Sequence, residues 1–131
     1  MSATQWRIVI TGLLFFIIFL IGYWLGRIGK PYPMLVVSIH KIISLGAVAF
    51  LASTVYKANQ ADPLSPILFI LVAVTALCFA ATIVTGGLAS IEKPLPAVVG
   101  LAHRVLPYLT VLGSAGTLYL LLVASREISR A

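Results

Sequence analysis

Charge is scarce in this chain. Of 131 residues, nine are Lys or Arg and three are Asp or Glu, so 9% are charged. A soluble domain carries about 25%. Hydrophobic residues make up 61%, and a soluble fold of this size could not hide so much apolar surface. Intrinsic disorder is excluded for the opposite reason, because disordered chains are poor in hydrophobics. The single cysteine, Cys78, permits no intramolecular disulfide. The three acids, Asp62, Glu92 and Glu127, fall in expected loops or the tail. No carboxylate then lies inside an apolar run, which argues against a small proton-coupled transporter. Nucleophile–base pairs, zinc sets and phosphate loops are also missing, so nothing supports an intramembrane hydrolase.

What is present reads as an integral membrane protein. A spanning helix needs about 20 apolar residues, and the length accommodates four with short loops. The expected helices cover about 5–26, 33–57, 66–88 and 96–125, followed by a short tail. Trp6 and Arg7 at one end of the first, and Tyr23, Trp24 and Arg27 at the other, are interfacial aromatics and cations. Its apolar run, Ile8 to Leu25, is too long for the core of a signal peptide and lacks a convincing cleavage site. The formal charge of +6 comes from basic residues scattered singly at helix ends, where anionic lipid explains them. Membrane lipid is therefore an expected partner and nucleic acid is not.

Four spans put both termini on one side. Arg7, Lys57, Arg126 and Arg130 mark that side, and Arg27, Lys30 and Lys93 mark the other, so the positive-inside rule is nearly balanced. The expected setting is a prokaryotic inner or plasma membrane with the termini in the cytoplasm.

Two segments align without gaps at an offset of 63. Lys30-Pro31-Tyr32-Pro33 leads to His40-Lys41, and Lys93-Pro94-Leu95-Pro96 leads to His103-Arg104. The shared pattern is K-P-x-P-x-x-V-x-x-x-H-[K/R]. Each copy follows one span and opens the next. The fold class is thus all-α, a membrane four-helix bundle of two helical hairpins in parallel repeat.

Lys-Pro-x-Pro alone could be a helix-start signal used twice. That does not explain why the only two histidines share one repeat position. Each lies seven residues beyond the second proline, about 10 Å along the helix axis and inside the apolar layer. An ionisable side chain there is a functional hypothesis by default. Two imidazoles at one depth suit a metal with two open axial positions, as in haem iron. They are too few for zinc, and copper would want further soft or imidazole ligands. Met1 and Met34 are badly placed for that role.

The metal ligands expected are therefore His40 and His103, holding one haem b per protomer. Lys41 and Arg104, each beside a histidine, are candidate partners for haem propionates; snorkelling to headgroups is the bland alternative. Lys30, Lys93 and Tyr32 are further propionate candidates. Gly100, three residues before His103, is the glycine expected to approach a ring most closely. Gly22-x-x-x-Gly26 reads as close helix packing, and the glycine-rich face of the first helix is a candidate homodimer surface. Cys78, Tyr108 and Tyr119 read as packing residues.

Matched histidines in a four-helix membrane bundle resemble the membrane b-type cytochromes. Nearest in kind are the cytochrome b561 group and the haem-bearing anchor subunits of respiratory dehydrogenases. The resemblance covers the chain as architecture but rests on His40 and His103 alone. Those families mostly use more histidines and two haems, whereas this chain supplies one bis-histidine pair. The resemblance implies an electron-transfer protein or oxidoreductase subunit rather than a stand-alone enzyme, exchanging electrons with a quinone or a partner redox protein. A cofactor-free scaffold or assembly subunit is the alternative from another class. A chlorophyll-type pigment protein is a third.

Overall fold

The computed structural model describes residues 2–128 and is built of four helices. They are α1 (Ala3–Ile28), α2 (Met34–Ala61), α3 (Pro66–Ala89) and α4 (Ala97–Ile128). The described residues contain no strand. At 1.5 Å per residue, lengths of 26, 28, 24 and 32 residues each exceed the ~30 Å hydrocarbon layer. All four are long and apolar enough to cross a membrane.

The boundaries follow local chemistry. Ser2 and Gln5 form a reciprocal capping box, which starts α1 two residues before the expected position. Gly29, with φ +74°, ends it in a conformation that favours glycine. α2 runs to Ala61, four residues past the expected end. It stops at Asp62, whose extended backbone is what a following proline imposes. The Ser65 hydroxyl accepts the Leu68 amide, and Pro66 occupies the first turn of α3. α4 continues to Ile128, so Glu127, expected in the tail, belongs to the last helical turn. Arg130 lies outside the described residues.

The helices pair as two hairpins. α3 and α4 form the most extensive seam, α1 packs on α2, and α1 also meets α4. The Phe19 and Tyr108 rings meet edge-on at 5.4 Å across the α1–α4 seam. α2 and α3 barely touch, and between them lies a cleft of about 340 Å³ lined by Val48, Leu51, Val55, Val72, Thr75 and Phe79.

The interior is unlike that of a soluble bundle. Its buried polar residues are Thr11, Thr54, Thr75, Thr110, Ser114 and Thr117, while large apolar side chains such as Phe16, Leu35, Ile42, Phe69 and Leu101 face outward. Lipid gives helices no hydrophobic reason to associate, so small hydroxyl side chains that let backbones approach share the interior with Leu51, Phe79 and Leu118. Five of those hydroxyls donate to a carbonyl four residues back on their own helix, at 2.7–2.9 Å. Each thereby satisfies its donor locally.

Candidate functional site

His40 lies in the second turn of α2 and His103 in the second turn of α4. Both are half-buried. Each packs against a glycine of its own hairpin. A methyl group built on Gly22 would lie 3.1 Å from Cε1 of His40. One built on Gly86 would lie 2.6 Å from Cε1 of His103 and 3.1 Å from its Nδ1. Only glycine leaves the imidazoles this space.

The two rings differ in their hydrogen bonds. Thr85 Oγ1 lies 3.3 Å from His103 Nδ1. His40 Nδ1 is buried and meets no partner. An unpartnered buried nitrogen is costly, and such a group asks for an explanation.

The sequence-derived candidates fare unequally. His40 and His103 stand at the same position of α2 and α4, each against the other helix of its own hairpin. Lys41 is engaged elsewhere, its Nζ donating to Ser90 Oγ at 2.8 Å. Lys30 Nζ donates to the Ile91 carbonyl, also at 2.8 Å. These two bonds tie the first hairpin to the C-terminal end of α3, where carbonyls lack helical partners and favour cations. Arg104 is exposed on α4. Gly100 is not the glycine beside a ring, since a side chain there would meet only open space. Gly12 and Gly26, on the proposed pairing face of α1, also meet nothing within 4 Å. Among the described residues, no group of three or more His, Cys, Asp or Glu could hold a metal ion. Any metal here must rely on the two imidazoles alone.

The glycines emerge from the sequence once the repeat is extended with a gap. In α2 and α4, buried Ala47, Leu51 and Thr54 correspond to buried Thr110, Ser114 and Thr117 at an offset of 63. In α1 and α3 the offset is 64, because the chain from a matched position on the first helix to one on the second is one residue longer in the first hairpin, as from Gly22 to His40 against Gly86 to His103. Thr11 then matches Thr75, Phe15 matches Phe79, and Gly22 matches Gly86. Phe15 and Phe79 touch each other, ring centroids 5.3 Å apart, although the hairpins meet unevenly, α1 on α4 but α2 barely on α3.

No family model matches the chain, and neither a curated protein nor a solved structure does.

Proposed function

We propose that the chain is a membrane b-type cytochrome holding one haem b between His40 and His103. The observation that carries this reading is a symmetric pair of half-buried imidazoles, each in a glycine cradle, one with a buried nitrogen lacking any partner. Those features fit a bis-histidine group. When bound, haem would supply reversible one-electron chemistry. His40 and His103 would hold it from α2 and α4. Gly22 and Gly86 give the rings the space they fill. Thr85 orients His103. Lys41 and Arg104 place positive charge one residue beyond each ligand, suited to anionic propionates once Lys41 leaves Ser90.

With the termini in the cytoplasm of a prokaryotic membrane, the site lies in the outer half, near the 29–33 and 90–96 loops. The electron partner is then a quinone or a redox protein reached from that side.

The test is an absorption spectrum of the detergent-purified protein, oxidised and dithionite-reduced, beside His40→Ala/His103→Ala. Sharp reduced α and β bands, lost in the double variant, are the expected result. A featureless visible spectrum from protein made with adequate haem would overturn the proposal and favour a scaffold subunit. Far-red bands would favour a pigment protein.

A further inference from the structure

The sequence scatters its cations singly, but the fold gathers two of them. Lys30 stands in the loop after α1, and Lys41 stands inside α2. Helical side chains lean towards the helix N-terminus, which for α2 is the loop side, so the Lys41 stem climbs to Ser90. The Ser90 hydroxyl gives its own hydrogen to the Gly87 carbonyl at 2.7 Å and therefore accepts from Lys41. Lys30 Nζ donates to the carbonyl of the next residue, Ile91. Consecutive Cα atoms are about 3.8 Å apart, so two ammonium groups converge on one corner at the end of α3. Lys30, Lys41 and Ile91 are exposed, so the corner opens outward. Each ammonium has three donors and spends one on a neutral oxygen. Among the described residues, no carboxylate joins either of them.

The related corner differs. Lys93 and Arg104 match Lys30 and Lys41, while Gly26 and Arg27 match Ser90 and Ile91 at the offset of 64. Glycine offers no hydroxyl, and Arg27 is a further cation that donates to Tyr23.

We propose that Lys30 and Lys41 form a binding site for the phosphate of an anionic phospholipid, which closes the joint between the two hairpins. Like charges held together call for an anion, and basic pockets between membrane helices take lipid phosphates. Ile42 follows Lys41 and Ile91 follows Ser90, and both side chains are exposed. The corner is thus flanked by apolar as well as cationic surface, which suits a lipid better than a free phosphate ion. The site uses Lys41 where it stands, on Ser90, and does not depend on the haem reading.

The test is thermal unfolding of the full chain in non-ionic detergent, titrated with phosphatidylglycerol. The midpoint is expected to rise and saturate, with phosphatidylcholine raising it far less. Lys30→Gln and Lys41→Gln are each expected to weaken binding about fivefold, and together about twenty-five-fold, the factor that a membrane-surface lysine contributes towards anionic lipid. Lys30→Arg/Lys41→Arg keeps both charges and should bind as wild type does. Lys57→Gln/Arg126→Gln removes two exposed cations from the other end of the bundle and should leave the titration unchanged. An equal loss in that control, or none in the glutamine variants, would overturn the proposal. So would an equal response to phosphatidylcholine, or the same rise with inorganic phosphate alone. If the glutamine pair does not fold, Lys41→Gln by itself decides the matter.

Discussion

The second hairpin closes on glycine and the first on a cation. Along the α3–α4 seam, Gly113 faces Thr75 so closely that an added methyl group would sit 2.5 Å from Oγ1, and one on Gly116 would sit 3.4 Å from Leu71. Thr82 and Thr110 add a hydroxyl contact across it at 3.1 Å. In the first hairpin the positions of Gly113, Gly116 and Leu71 are held by Phe50, Ser53 and Arg7. The Arg7 guanidinium lies 4.7 Å from the Phe50 ring centroid and donates to Ser53 and Thr54. The pair matching Thr82 and Thr110 is Ile18 and Ala47, which cannot hydrogen-bond through their side chains. Where lipid removes the hydrophobic drive, helices are joined either by close approach or by polar contacts. This protein uses one solution in each half.

The largest effect that would break the comparison is expected at the histidine cradles. Gly86→Ala forces His103 aside, and such overpacking costs about 1–3 kcal/mol, against roughly 1 kcal/mol gained in helix propensity. Gly22→Ala has more room, so the two terms nearly cancel. Thermal unfolding in detergent, followed by circular dichroism, should show a lower midpoint for Gly86→Ala alone. Equal midpoints would mean the cradles are equivalent after all.

Next is the glycine seam. Gly113→Ala is expected to destabilise by about 1 kcal/mol net of the same propensity gain, and adding Thr75→Ala should recover most of that because the clash disappears. A double-mutant cycle checks it, and strict additivity would refute the close contact.

The smallest effect is expected at the cation. Arg7→Leu installs the residue found at position 71. It forfeits a cation–π contact and two hydrogen bonds, together worth about 1 kcal/mol after solvation at the membrane edge. Urea titration should detect a slight loss, and a loss larger than that of Gly113→Ala would reverse the ranking of the two halves.

The spans were legible because apolar runs of this length have few other uses, and the histidine pair because the chain has only two. Their glycines were hidden. The gapless alignment at 63 pairs Gly22 with Thr85 rather than Gly86, and a one-residue shift between the helices of a hairpin is invisible until they are seen packed. Gly100 misled because proximity along the chain is not proximity across a seam; on α4 it points into open space. The neighbours of Lys41 were equally unreadable, since Ser90 is brought to it by tertiary packing alone. The start of α3 at Pro66 was read correctly, while the other helix ends differ by one to four residues, most at Ala61, where the proline two residues on, rather than the fading of apolar periodicity, sets the stop.

The touching rings of Phe15 and Phe79 carry a last consequence. Equivalent residues meet only on the axis that relates their copies, so a two-helix peptide pairing with itself would bring the same phenylalanine against its own twin. It would also present one glycine-cradled histidine from each side. The four-helix chain thus carries two hairpins of one plan whose matched positions need not agree, threonine at 85 against isoleucine at 21.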